Sequence, residues 1–285
     1  MKKLAYFLPL LLFAISCEDV IEVDAPTEPP RLIVDGVIRI DTSEAFTTAR
    51  IQIRESSSFF EDNSPKTVQQ AFIQNPDYIG TGPLDENFVL LTEIEPGVYE
   101  GTKRTPFFTA GELFLNINDD EERYLARTTF VPTVPIDTLI QGDGTLFSGD
   151  ETEVKVAFTD NGDRNDFYIL DFGFNEYLVT EDEFYQGQQF EFSYFYDDTI
   201  EAGMTLTVSI FGADESFYTY MDQVIVQSGG DQGPFQTPVA TVRGNIFNVT
   251  GIDNIDVFDN VERTDNFALG YFAVVQEFKK TITIE

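Results

Sequence analysis

Short runs of β-branched and aromatic residues recur along most of this chain at regular spacing, with Gly, Pro, Asn and Asp between them. That rhythm limits the fold more than any other feature, because segments so short bury an apolar face only by pairing into sheets. Arg31 to Ile40 is β-branched and interrupted by Asp35-Gly36. Phe46 to Arg54 alternates in its second half, placing Ile51 and Ile53 on one face and Arg50, Gln52 and Arg54 on the other. Val68 to Ile73, Phe88 to Ile94, Gly97 to Gly101, Glu112 to Ile117 and Tyr124 to Val131 continue the series. The polar stretches Glu55 to Lys66 and Asn75 to Asn87 read as loops. An antiparallel sandwich over residues 31–132 is the expectation.

Pro132-Thr133-Val134-Pro135 breaks the pattern and marks the expected boundary to a second β-rich domain over residues 136–285. Glu153 to Thr159, Phe167 to Val179 (one strand or two), Phe190 to Tyr196 and Met204 to Phe211 are its strand candidates. Val239 to Phe247, Phe267 to Glu277 and Thr281 to Glu285 follow. One helix is predicted near 214–228. Phe217, Tyr220, Met221, Val224 and Ile225 repeat at helical spacing, with Asp214 or Ser216 as cap and Ser228-Gly229-Gly230 as stop.

Composition then narrows the chemistry. With 285 residues, 42% of them apolar and 28 Phe and 12 Tyr among them, the chain can bury two cores. The 50 acidic residues outnumber 17 Lys and Arg, for a net charge of -33. Nucleic acid is excluded as a partner by that balance, and it argues against the folded body lying on an anionic membrane. The acidity reads as a solubilising surface or as a means of recruiting cations or a basic partner. Histidine is absent and Cys17 is the one cysteine, so Ser-His and Cys-His nucleophilic systems cannot be built.

Cys17 stands where a lipoprotein signal peptide would place it. Lys2 and Lys3 precede an apolar run from Leu4 to Ile15, too short to span a bilayer, and Ala14-Ile15-Ser16 leads to the thiol. Residues 1–16 are therefore expected to be a cleaved signal peptide, and Cys17 to carry the lipid anchor. Residues 17–30 hold three prolines and five acids and read as an extended tether of about 40 Å.

Cys17-Glu18-Asp19, Pro29 to Gly36, Gly97 to Glu100, Val131 to Asp137, Phe158 to Asp160 and Arg164 to Tyr168 follow in an ordered set. Asp182 to Gln188, Ser216 to Met221, Pro234-Phe235 and Asn245 to Gly251 complete it. In that order they resemble the family called domain of unknown function 4249, outer-membrane lipoproteins of Bacteroidota. The resemblance implies a mainly β chain: an N-terminal immunoglobulin- or transthyretin-like (carboxypeptidase-regulatory-like) sandwich, then a second β-rich domain with one amphipathic helix. It also implies a non-enzymatic accessory or ligand-recruiting partner of a TonB-dependent receptor, anchored in the outer membrane and facing the cell exterior. Glu18 and Asp19 resemble the surface-export signal of such lipoproteins. The family supplies no catalytic residue, metal or cofactor to carry over. An adhesin or structural envelope lipoprotein is the alternative expectation.

Local candidates for chemistry remain. Asp119 to Glu122 and Asp160 to Asp166 carry oxygens enough for Ca²⁺, or read as a hairpin tip and a turn. Glu181-Asp182-Glu183 with Asp197-Asp198 would supply the paired carboxylates of a glycan or peptide hydrolase, a third alternative. Phe190, Phe192, Tyr194 and Tyr196 form either a stacking platform for a ligand or the inner face of a sheet.

Overall fold

A computed structural model describes residues 29–57, 61–82, 85–146, 149–196, 200–228, 241–252 and 267–285. The signal segment, Cys17, Glu18 and Asp19, Pro234-Phe235 and Asp197-Asp198 lie outside the described residues. The first half contains β1 (Leu32–Ile40), β2 (Phe46–Glu55), β3 (Ser64–Pro65), β4 (Gln70–Gln74), β5 (Phe88–Glu95) and β6 (Val98–Arg104). A one-turn helix, α1 (Thr105–Thr109), leads to β7 (Glu112–Asp119) and β8 (Glu122–Val131). The second half holds β9 (Ile136–Gln141), β10 (Thr152–Thr159), β11 (Phe167–Asp171), β12 (Tyr177–Glu181), β13 (Gln189–Tyr196) and β14 (Thr205–Ala213). Helix α2 (Glu215–Ser228), β15 (Phe247–Asn248) and the long β16 (Leu269–Thr283) complete the described elements.

Eight strands close on themselves in the order β16-β1-β2-β6-β5-β4-β7-β8 and back to β16. Strand β16 runs parallel to both β1 and β8, whereas the other neighbours in the ring are antiparallel. The mainly β expectation therefore stands, but the N-terminal half closes as a mixed barrel rather than as two open sheets. The physical reason is the period-two pattern itself. Val34 and Ile38 of β1, Ile51 and Ile53 of β2, Leu113 and Leu115 of β7, and Phe272 and Val274 of β16 all point inward and are buried. Closure covers them and leaves the eight strands no fully open edge, β16 and β8 meeting over two residue pairs. Phe107 and Phe108 from α1 are fully buried in the same core.

Where β1 meets β16 the backbones come close. Gly270 has φ +93°, and a Cβ there would lie 1.9 Å from the Val34 carbonyl oxygen, so only glycine fits.

Strand β16 does not end with the barrel. From Glu277 to Thr283 it pairs with the C-terminal strands' β14, which continues through β11 to β12. This sheet faces β9-β10-β13 across a second core that includes Val156, Phe158, Tyr168, Leu170, Val208 and Ile210. The stretches expected as separate strands at Phe267 to Glu277 and Thr281 to Glu285 are thus one strand shared by both bodies. Backbone pairing between Ile33–Ile40 and Leu269–Gln276 crosses the expected domain boundary.

Candidate functional site

The outer face of the barrel next to β16 carries the side chains that its core rejects. Asp35, Val37 and Arg39 of β1 lie there beside Arg50, Gln52 and Arg54 of β2. Helix α2 stands over this wall. Asp214 starts the helix: its Oδ1 accepts a 2.7 Å bond from the Phe217 amide, and its carbonyl accepts one from Tyr218. The helix's apolar stripe is thereby aimed at the sheet. Phe217 is buried against Tyr271, ring centroids 4.8 Å apart, and Tyr220 packs on the same ring at 4.8 Å. Between helix and barrel lies a groove of about 490 Å³, with Tyr220, Met221 and Val224 on one side and the arginines on the other. Its size is that of sites for small molecules.

Three arginines in one groove are notable in a chain with 17 basic residues against 50 acidic ones. They differ in their partners. Arg39 donates to Asp171 at 2.6 Å and to Glu277 at 3.2 Å, and stacks over Phe211 with its guanidinium carbon 4.3 Å from the ring centre. Burial by itself would lower its pKa, but the hydrogen bond and charge of Asp171, then Glu277, raise it. Arg50 pairs with Glu100 at 2.9 Å on the surface. Arg54 is half-buried; its Nε is shielded from solvent and has no hydrogen-bond partner, and no ion pair reaches it among the described residues. A buried donor left unmade is costly, on the order of 1–3 kcal/mol. Tyr220 and Tyr271 are kept neutral by burial, which raises both pKa values.

The residues singled out by spacing sort differently. Phe190, Phe192 and Tyr194 are partly buried against the second core, and Tyr196 is buried in it. Tyr194 stacks on Phe172 at 3.7 Å and Phe190 on Tyr185 at 4.3 Å. The stripe is inner packing, not an open platform. Asp119 to Glu122 forms the β7–β8 hairpin tip, with Asp120 at φ +49°. Asp160 and Asp166 face the buried Tyr168 hydroxyl, Asp160 also accepts from the Gly187 amide at 2.7 Å, and Asp166 pairs with Arg164. Asp182 accepts from the Asp166 amide. These carboxylates hold the turns around β11 together. Among the described residues no three carboxylates converge on a metal-ligating cluster, so neither acidic run presents the six to eight oxygens that Ca²⁺ takes.

Arg54 had a visible signal. It falls on the polar face of an alternating strand, in a chain poor in cations. What alternation could not reveal is that α2, some 160 residues later, stands over it.

This is a mainly β protein in which a closed mixed barrel is fused to a second pair of sheets, with a groove lined by arginines and aromatics at the junction. The chain belongs to the family described as Domain of unknown function (DUF4249), whose model matches residues 18–281. No curated protein matches it. Among the described residues no helix is long and apolar enough to cross a membrane.

Proposed function

We propose that this chain is a lipoprotein anchored through Cys17 in the outer membrane, facing the cell exterior, and that it recruits a ligand for a TonB-dependent receptor without catalysing a reaction. The observation that carries the recruiting role is the groove between α2 and the barrel, formed on two elements fixed by buried aromatics. Membrane attachment rests on the lone thiol behind the Leu4 to Ile15 run, and the receptor on the family resemblance. Acylation would confine the protein beside the receptor and raise its effective concentration there without a large interface. The barrel would play the part of the transthyretin-like sandwich that the family resemblance implies, a rigid body presenting its outer face and loops.

The test is affinity purification of the lipidated protein from detergent-solubilised outer membrane, with Cys17→Ser alongside. A receptor recovered with the parent and lost with C17S, whose unprocessed precursor accumulates, is the expected result. Parent and C17S partitioning alike between membrane and soluble fractions would remove the anchor, and a parent that brings down no receptor would remove the partner.

A further inference from the structure

We propose that the free edge of β13 is a docking site for an extended segment of a partner protein, which adds as a fourth strand and alternates apolar with basic residues. The inference stands apart from the groove, the lipid anchor and any receptor.

The second pair of sheets is unequal. One sheet, β12-β11-β14-β16, has four strands, whereas the sheet facing it, β13-β10-β9, has three among the described residues. Strand β9 lies beside β16, because Lys280 of β16 donates to the Ile136 and Asp137 carbonyls. The shortfall therefore falls next to β13. Every second residue of an edge strand turns its N–H and C=O away from the sheet, a template for another chain that proteins blunt with lysine, proline, bulges or short strands. The β9 edge carries two such devices: Lys280 occupies its carbonyls, and its register with β10 shifts between Ala157 and Phe158. Strand β13 shows none of them among the described residues. It runs for eight residues without Pro, Gly or Lys and keeps one register with β10 throughout, from Gln189–Thr159 to Tyr196–Thr152.

The apolar surface along that edge is unfinished. Phe190, Phe192 and Tyr194 turn toward the second core yet are only half-buried, as is Leu178 of β12, packed on the same core. At one end Phe184, on the connection from β12, is 85% exposed. At the other Phe174, 61% exposed, meets Tyr196 edge-on with ring centroids 6.3 Å apart. A strand added here would cover this row with every second side chain, so those side chains are apolar. Charge sets the alternate ones. Glu191 is exposed on the outer face of β13, and Glu181 and Glu183 are exposed where the chain enters it. Lys155, opposite Ser193, lies 3.8 Å from Glu153. Lysine or arginine suits these positions, whereas a second copy would bring its own 50 acids against 17 bases and be repelled.

The experiment is hydrogen exchange read by mass spectrometry on the full lipidated protein in non-ionic detergent micelles, with and without a capped octapeptide alternating Lys and Val. Before peptide is added, Gln189–Tyr196 should exchange faster than Thr152–Thr159, which is paired on both sides. The peptide should slow Gln189–Tyr196 saturably. A peptide of the same composition with its Val residues consecutive, or one alternating Glu and Val, should not. Glu191→Lys, an exposed change, should weaken the Lys peptide roughly fivefold. Phe192→Lys points a charge inward at the edge and should abolish binding; if circular dichroism shows F192K misfolded, E191K carries the test. Four outcomes overturn the proposal: β13 exchanging as slowly as β10 before any peptide is added, whether a second copy or the chain itself covers it; no slowing by the Lys peptide at millimolar concentration; equal slowing by the consecutive or the Glu peptide; or E191K binding the Lys peptide as the parent does. Receptor recovery is read separately, so losing the peptide while keeping the receptor removes this assignment alone.

Discussion

Asn245 closes a gap that backbone pairing leaves open, and removing its amide should measurably loosen the barrel. Strands β16 and β8 pair only at Val274–Phe130 and Val275–Val131 before they diverge. Just beyond, the Asn245 side chain takes the place of a strand partner. Its Oδ1 accepts from the Phe272 amide at 2.8 Å, and its Nδ2 donates to the Phe272 carbonyl at 2.8 Å and to the Arg127 carbonyl at 3.3 Å. Phe272 is fully buried in the barrel core, so water reaches its backbone poorly once the amide is gone. Asn245→Ala strips both backbone groups of Phe272 of their partner. At roughly 1–3 kcal/mol for each buried group left unmade, with Arg127 rehydrated, the cost is about 3 kcal/mol. Urea unfolding followed by far-UV circular dichroism would read this as a lower midpoint with an unchanged slope. Hydrogen exchange should also accelerate at the Phe272 amide. A loss below about 0.5 kcal/mol, the size of an ordinary surface change, would refute the claim that one side chain seals the barrel.

Two further outcomes follow from the packing. Gly270→Ala forces a Cβ to within 1.9 Å of the Val34 carbonyl oxygen at φ +93°, so the β1–β16 pairing must give way. Thermal unfolding should fall sharply, whereas Gly149→Ala, with open space around its Cβ, should bear only the cost of its positive φ. Glu153 is held below the ordinary carboxyl pKa by the Ser193 hydroxyl and then the Gly144 amide. Its contribution to stability is therefore present above the unfolded-state value, about 4, and is lost as pH falls through the depressed native one. Glu153→Gln should flatten the acid limb of the stability profile below about pH 4, as read by urea midpoints at successive pH values; an unchanged limb would show the carboxylate to be idle.

Much of the secondary structure was legible because it is local. The alternation of Ile51 and Ile53 with Arg50, Gln52 and Arg54 matches the observed inside and outside of β2. Asp214 caps the helix whose stripe predicted it, since both signals lie within a few residues. Strand β9 (Ile136–Gln141) and helix α1 escaped because neither has a period long enough to register. The Ca²⁺ candidates misled for a related reason, while the carboxylate pairing with Asp197-Asp198 falls outside the described residues. Clusters of acids are common in a chain holding 50 of them, and only tertiary structure shows Asp160 and Asp166 turned toward Tyr168.

By itself the sequence determined that this chain is built of strands, that one face of each is apolar, that its chemistry must do without histidine, and that its lone thiol follows an apolar leader. Period, composition and motif order are properties of neighbouring residues, and they survive without any fold. Tertiary structure alone decided that the first strand lies parallel to the last, that this pairing closes a barrel, and that α2 turns an ordinary polar strand face into a groove. Those contacts join residues distant in the chain, more than two hundred positions apart in the case of Ile33 and Leu269. Their energy comes from apolar surface shared across the whole chain, which no local pattern encodes.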